Sequence, residues 1–352
     1  MVDRTDDAWA PIALFLYKRA DHARQTITSL QACPGFAESP HYVYADGPRH
    51  EQDVDDVRAT RAVARELLGE RAVFIEREHN LGLSASIIAG VTELCDRYGK
   101  VIVVEDDLAV APSFLQFLND GLHRYADDAR VMQLNAFTFD APALARQREA
   151  VFLPLTASWG WATWKRAWDL FDRDANGWQD LMGDKRLRRQ FDLDNRADKS
   201  KMLALQMQAE QGGWDVVWYY TLFKRRGLAL FPPRSLVFNI GLDGSGAHSR
   251  LALPARQAPL AVGEPFTFPS RIEESPAKEQ VFDAIAAFQP RGTRGKALAL
   301  LKLLLRRWGG ISRRAESEFT PVTVGTAAGG QQPRTTTAVA TSGGEGAGGR
   351  GG

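Results

Sequence analysis

The feature that most constrains this chain is an apolar run that ends in three consecutive acids. Residues 101–104 are apolar and long enough for one buried strand of a parallel sheet, and Glu105, Asp106 and Asp107 follow directly. Ligands of open α/β sheets bind outside the carboxyl ends of the strands, which is where these acids fall. Oxygen ligands suit Mg²⁺ or Mn²⁺, ions that usually share their coordination with a substrate phosphate. The segment predicts either a divalent metal site or a solvated acidic turn after a core strand.

Three earlier segments repeat the pattern of an apolar strand followed by a helix. They begin at residues 12, 41 and 72, and polar residues follow each of them. This alternation favours an α/β fold with a doubly wound, mostly parallel sheet, right-handed crossovers and flanking helices. The polar side chains expected at the carboxyl edge of that sheet are Lys18, Arg19, Asp46, Glu76, His79, Glu105, Asp106 and Asp107. Their common placement favours a nucleotide pocket over a set of unrelated solvated loops.

Composition excludes several classes of protein. The net charge of the 352 residues is +1, so no global electric field favours nucleic acid as a partner. The two cysteines, Cys33 and Cys95, cannot form a disulfide framework and favour a reducing compartment. No apolar run is long enough to span a membrane, and the acidic N-terminus lacks a signal-peptide pattern. We therefore expect a cytoplasmic protein.

Two aromatic-rich segments follow the acids. Residues 157–168 contain four tryptophans, for which core packing is the main interpretation, although Gly160 would also let a ligand approach the backbone. The second segment begins at Trp214 and places Asp215 among apolar residues. Asp215 is a candidate general base there, or simply the cap of a helix. The glycine-rich stretch 241–249 is interpreted as a loop that closes over phosphates, or as a plain connection.

The residues from 103 to 114 resemble the acidic motif of the eukaryotic glycoprotein β-1,2-N-acetylglucosaminyltransferase I family, which belongs to the GT-A glycosyltransferases. The resemblance covers roughly residues 12–249. It implies a GT-A fold and metal-dependent, inverting transfer of a sugar from a nucleotide-diphosphate sugar, most simply a UDP-sugar. A hydroxyl group of a glycan or of a lipid-linked acceptor would receive the sugar.

The resemblance also implies roles for individual residues. Asp107 would bind Mn²⁺ or Mg²⁺ directly, and Asp215 would be the catalytic base. Further residues would contact the donor: Arg19, Asp46, His79, Glu105, Asp106 and His248.

Two other classes of protein share parts of this pattern. A sugar-1-phosphate nucleotidyltransferase also has an α/β sheet and a metal held by carboxylates, but usually carries a glycine-rich phosphate loop after its first strand. Residues 17–21 occupy that position here and contain no glycine. A non-catalytic carbohydrate-binding protein with the same fold is the second alternative, and the acidic triplet with its candidate base argues against it.

The C-terminal part of the chain differs in composition from the rest. Residues 296–308 form a strongly apolar predicted helix with basic residues, which either lies on an anionic membrane surface or packs on the preceding domain. After Glu318 the sequence lacks periodicity and predicts disorder. The predicted organisation is a GT-A catalytic domain at 1–290, a basic amphipathic helix at 291–316 and a disordered tail at 317–352. The protein would be cytoplasmic, with possible peripheral contact to the inner face of the membrane.

Overall fold

Strands and helices alternate along most of the described chain, which in this computed structural model comprises residues 8–208, 213–243, 257–261 and 266–288. The strands are β1 Ile12–Leu16, β2 His41–Ala45, β3 Ala72–Glu76, β4 Lys100–Glu105, β5 Leu108–Val110, β6 Val131–Asn135, β7 Val151–Leu153, β8 Trp161–Trp164, β9 Leu228–Phe231 and β10 Val237–Asn239. The helices are α1 Ala20–Gln31, α2 Val54–Leu68, α3 Leu83–Tyr98, α4 Phe114–Arg124, α5 Pro142–Ala145, α6 Lys165–Trp168, α7 Trp178–Gly183, α8 Lys185–Phe191, α9 Lys199–Gln208, α10 Trp214–Lys224 and α11 Lys278–Phe288. Short 3-10 turns lie at Glu51–Asp53, Gly69–Arg71 and Ile240–Asp243.

The main sheet contains eight strands in the order β3-β2-β1-β4-β8-β6-β9-β7. The first four strands along the chain pair in parallel, and so do β6 and β9. β8 lies antiparallel between β4 and β6, and β7 pairs antiparallel with β9 at the edge. β5 and β10 form a separate antiparallel pair. The prediction of a mostly parallel α/β sheet flanked by helices is therefore confirmed, with reversed strands that the sequence pattern did not indicate.

The two faces of β4 contribute to different parts of the core. Val101 and Val103 pack into the cluster that contains the tryptophans, whereas Ile102 and Val104 pack into the cluster beneath α1. All four side chains are fully buried, which explains why the strand is a continuous apolar run in the sequence. Because successive side chains of a strand point to opposite faces, the same alternation orients the acids that follow.

The tryptophans of residues 157–168 pack mainly in the core. Trp161 stacks on Trp214 of α10, with 5.0 Å between ring centroids and 19° between ring planes. Trp168 lies 5.1 Å from Trp218 of the same helix. The two aromatic-rich segments of the sequence therefore pack against each other, and this packing fixes α10 on the sheet. Core packing, the main interpretation from the sequence, is confirmed for these residues.

The interpretation of Gly160 as a point of ligand approach is wrong. Its φ of 65° lies in the left-handed region that favours glycine. A Cβ atom at this position would lie 2.7 Å from Val237 and 2.9 Å from Phe114. The glycine is therefore explained by its backbone conformation and by the side chains packed against it.

Several predictions concern residues outside the described ranges. These are His248, the helix at 296–308, the tail at 317–352 and the domain boundaries at 290 and 316. No helix within the described ranges is long and apolar enough to cross a membrane.

Candidate active site

The three acids at the end of β4, Glu105, Asp106 and Asp107, do not share one face of the sheet. Glu105 continues the face of Val101 and Val103, towards α10, whereas Asp106 lies on the side of β1 and α1. Asp107 follows in the turn, and its side chain is 15% exposed. Three consecutive carboxylates thus have three different surroundings, which a sequence motif alone does not reveal.

Arg19 binds two of the three acids. Its Nη2 atom donates to Oδ1 of Asp106 and, at 3.0 Å, to Oδ2 of Asp107. The amide of Tyr17 also donates to Oδ2 of Asp106, at 3.3 Å. Burial raises the pKa of Asp106 to about 6, although the charge of Arg19 opposes this shift. Arg19 therefore lies at the acidic centre, as predicted, and fixes the orientation of its carboxylates.

The turn that carries Asp107 is held by its neighbours on both sides. The hydroxyl group of Thr26 on α1 donates to the carbonyl oxygen of Asp106 at 2.8 Å and accepts from the amide of Leu108 at 3.1 Å. The amide of Ile240 donates to the carbonyl oxygen of Asp107 at 2.8 Å. A side chain at Gly241 would collide with Asp107 and Arg19. The start of the glycine-rich stretch thus lies directly against the acidic centre.

Asp215 is positioned by a buried polar network beneath α10. The indole N–H of Trp218 donates to Oε1 of Gln133 at 2.6 Å. The amide group of Gln133 in turn donates to Asn135 at 2.5 Å and to the carbonyl oxygen of Ala157 at 2.6 Å. Because buried polar groups are costly to leave unpaired, this network favours one orientation of α10. Asp215 lies in the first turn of that helix, where the helix dipole favours a negative charge.

The start of α10, which bears Asp215, packs beside the end of β4, because Trp214 stacks on Trp161 and Trp161 pairs with Val103. Burial raises the pKa of Glu105 well above its ordinary value, and the charges of Asp107, Asp106 and Asp215 raise it further. The fold therefore brings the candidate base from α10 to the acidic end of β4. Two motifs that lie far apart in the sequence are therefore neighbours in the fold.

Asp46 connects the loops that follow β2 and β3. Its carboxylate accepts from the amides of Gly47 at 3.1 Å, Leu81 at 2.8 Å and Gly82 at 2.9 Å. The backbone of His79 lies so near Gly47 that a Cβ atom at Gly47 would be 2.5 Å from it. The structure therefore places Asp46 at the predicted edge with bonds to the loop of His79, whose own side chain is exposed.

Arg61 of α2 strengthens the same corner of the sheet. Its Nη2 atom donates to the carbonyl oxygens of Ala45 at 3.4 Å, Asp46 at 3.2 Å and Arg77 at 2.6 Å. This role of Arg61 is not predictable from the sequence, because an arginine in a surface helix carries no local signal of such a bond. One guanidinium group thus hydrogen-bonds to the backbone at the ends of both β2 and β3.

Two of the polar residues expected at the pocket make ion pairs elsewhere. The ammonium group of Lys18 lies 2.6 Å from a carboxylate oxygen of Asp53, which also accepts from the hydroxyl group of Tyr17 at 2.9 Å. Glu76 pairs with Arg65 at 3.0 Å. These side chains stabilise the loops after the strands.

Lys199 is a charged residue beside α10 that the sequence does not single out. It belongs to residues 172–200, whose many charged residues and helical pattern indicate a segment on the protein surface. In the structure it is partly buried at the start of α9, and the charge of Asp215 acts on it. A lysine in a generally charged segment gives no sequence signal that would separate it from solvated neighbours.

The described residues contain no cluster of three His, Cys, Asp or Glu side chains that could hold a metal ion by themselves. The division of Glu105 and Asp106 between the two faces explains this. Asp107 remains as a single, partly exposed carboxylate in the turn. One protein carboxylate fits an ion that takes its other ligands from substrate phosphates and water, as Mg²⁺ commonly does. The site thus fits a metal that arrives with a diphosphate.

Comparison with known proteins gives a likeness to solved structures but not to known sequences. No family model matches the sequence, and no curated protein matches it. Among solved structures, the chain is similar to GalNAc-T7 in complex with UDP, GalNAc and Mn²⁺, with a TM-score of 0.41 and 10% sequence identity. The alignment covers 64% of this chain and 43% of that chain, so this protein spans less than half the length of GalNAc-T7.

Proposed function

We propose that this protein is a GT-A glycosyltransferase that depends on a divalent metal. It would transfer a sugar from a nucleotide-diphosphate sugar, most simply UDP-linked, to a hydroxyl group of a glycan or lipid-linked acceptor. The observation that carries the proposal is the packing of α10, which bears Asp215, on β8 beside the strand that ends in the acids: Trp214 stacks on Trp161, and Trp161 pairs with Val103 of β4. A candidate base on α10 near an acidic centre at the carboxyl edge of the sheet suits a reaction with a charged leaving group and a hydroxyl nucleophile.

On the donor side, the acidic centre would receive the diphosphate. Asp107 would hold Mn²⁺ or Mg²⁺, which when bound neutralises charge on the departing diphosphate. Arg19 keeps the carboxylates of Asp106 and Asp107 in fixed positions through its guanidinium group. A fixed arrangement reduces the reorganisation needed when charge develops on the leaving group.

On the acceptor side, Asp215 would take the proton of the attacking hydroxyl group. The acceptor oxygen forms a bond to the anomeric carbon while the bond from that carbon to the diphosphate oxygen breaks. Attack from the face opposite the leaving group inverts the configuration at this carbon. The indole rings of Trp214 and Trp218 are buried and pack against Trp161 and Trp168, which fixes the helix that carries Asp215.

The test is an assay of nucleotide release with a panel of UDP-sugars in Mn²⁺ and in EDTA. Release of UDP that needs Mn²⁺, together with transfer to a sugar acceptor with inverted configuration, would support the proposal. Formation of a UDP-sugar from UTP and a sugar 1-phosphate would identify a nucleotidyltransferase instead. Binding of a sugar or nucleotide sugar without turnover of any of these substrates would identify a non-catalytic binding protein.

A further inference from the structure

Lys199 is the first residue of α9, and hydrogen bonds of its neighbour hold the backbone there in place. The amide and the hydroxyl group of the next residue, Ser200, both donate to the carboxylate of Asp192 at 2.7 Å. Asp192 and Ser200 are both buried, so these bonds lie away from solvent. Charge-assisted bonds of this kind are stronger than neutral ones and hold the first turn of the helix in place. The direction in which the Lys199 side chain leaves the helix is thereby restricted.

The side chain of Lys199 extends over α10. Its ammonium nitrogen lies 5.7 Å from the centroid of the Tyr219 ring. The Tyr219 ring is buried and held by a 3.0 Å bond from its hydroxyl group to the carbonyl oxygen of Phe191. Tyr219 follows Asp215 by four residues, so both side chains lie on the same face of the helix. Lys199 therefore reaches the face of α10 that carries the candidate base.

The charge of Lys199 lacks a direct counter-ion within the described ranges, where no carboxylate forms an ion pair with it. Burial lowers the pKa of Lys199, and the more distant charge of Asp215 opposes this effect. A partly desolvated ammonium group is unfavourable unless an anion or several hydrogen bonds compensate it. The ring of Tyr219 supplies only a weak cation–π contact. An anion bound beside Lys199 would provide the missing compensation.

We propose that Lys199 is an anion-binding residue of the active site, which takes a phosphate or carboxylate oxygen of a substrate beside Asp215. The identity of the substrates rests on the proposed glycosyltransferase function, since donor and acceptor meet at the base. The anion has two possible sources with the same chemistry: the diphosphate of the donor, or an acidic group on the acceptor. A lysine suits both, because its ammonium group acts as a point charge with three donors.

The test measures equilibrium binding in EDTA, without turnover, for wild type, Lys199→Met and Lys199→Arg. The probes are UDP against uridine, and glucuronate against glucose. Binding is followed by calorimetry and by tryptophan fluorescence, since Trp214 stacks on Trp161 next to Asp215. We expect Lys199→Met to weaken one anionic probe about tenfold, equivalent to about 1.4 kcal/mol, with the neutral partner unchanged. Lys199→Arg should keep most of the affinity.

The probe that is affected identifies the source of the anion. Weaker binding of UDP with unchanged binding of uridine assigns Lys199 to the donor diphosphate. Weaker binding of glucuronate with unchanged binding of glucose assigns it to an acidic group on the acceptor. Lys201→Met is the matched control, because Lys201 is exposed on the same helix. Wild-type protein that binds neither anion, or a folded Lys199→Met variant that binds both as tightly as wild type, would overturn the proposal. Absence of sugar transfer with this binding pattern intact would overturn only the glycosyltransferase function.

Discussion

At the scale of single residues, one acidic motif supplies three distinct chemical environments. Glu105 is held towards its neutral form, because burial and the charges of Asp107, Asp106 and Asp215 raise its pKa. Asp106 is buried and bound by Arg19, and Asp107, which Arg19 also binds, is more exposed than Asp106. The sequence located the motif at the end of a strand, but side-chain alternation and the guanidinium partner assign the separate environments. Such differences depend on tertiary contacts that no local pattern encodes.

Asp107→Asn should abolish the stimulation of turnover by Mn²⁺ and leave the fold unchanged. The amide keeps the shape of the side chain but removes the charge that a hard cation requires. The measurement is UDP release against Mn²⁺ concentration, with melting temperature as the test of folding. Asp55→Asn, at a carboxylate exposed on α2, should behave as wild type. A Mn²⁺ response retained in Asp107→Asn would show that another residue holds the metal.

Asp215→Asn should reduce transfer about 10²–10⁴-fold, the usual effect of removing a general base, while affinity for the donor is retained. The expected loss is therefore in kcat and not in the donor KM. Asp180→Asn is the matched control, since Asp180 also lies in the first turn of a helix, α7, but is exposed. Near-normal kcat in Asp215→Asn would exclude it as the base.

At the scale of helices and strands, the first four strands with their helices were predictable from apolar periodicity. The position of β8 was not, because its four residues lie in a tryptophan-rich segment without a strand period. This strand lies between β4 and β6 and runs antiparallel to both. The anchoring of α10 was equally hidden, since the partner of Trp218 is Gln133 in a strand far away in the sequence. Local patterns indicate which elements form, and long-range polar bonds decide where they lie.

Gly47→Ala should destabilise the corner between β2 and β3. The added methyl group would lie 2.5 Å from the backbone of His79, and a backbone can yield less than a flexible side chain. We expect a loss of about 1–3 kcal/mol in the free energy of unfolding, the typical cost of overpacking. Urea denaturation measures it.

Gly183→Ala is the control for that substitution. No atom lies within 4 Å of a Cβ atom at Gly183, which ends α7. Alanine there should be neutral or slightly stabilising, because it favours the helical conformation more than glycine. Equal stability of Gly47→Ala and Gly183→Ala would mean that the two loops separate more easily than their packing indicates.

At the scale of the whole molecule, the sheet gathers residues from distant parts of the chain at one edge. Arg19, Asp107 and Asp215 belong to segments separated by several elements, and parallel pairing of the first strands is what aligns their ends. The sequence predicted this common edge correctly for the acids and Arg19. It did not predict Lys199, since the segment before α9 contains many charged residues without a pattern that favours one of them. Residues that reach the site from helices outside the sheet cannot be predicted from the positions at which the strands end.

The stability of the molecule should depend on Asp53 at low pH. Hydrogen bonds from Lys18 and Tyr17 lower the pKa of Asp53 from 3.8 to about 2. The folded state therefore favours the ionised form, and this stabilisation is present above the unfolded pKa and is lost as the pH falls through about 2. The melting temperature of wild type should exceed that of Asp53→Asn most above about pH 5. The difference should shrink between about pH 4 and pH 2, and a constant difference would contradict the shifted pKa.

Arg61 has a consequence for how the loops after β2 and β3 can vary in sequence. The guanidinium group holds carbonyl oxygens, and Asp46 likewise holds backbone amides, so neither anchor depends on which side chains the connected loops carry. Positions 48–50 and 78–79 can therefore be randomised in a variant library while the anchors persist. The sequence of these loops and the bonds that join them are thus independent of each other, so the loops can vary without rebuilding the fold.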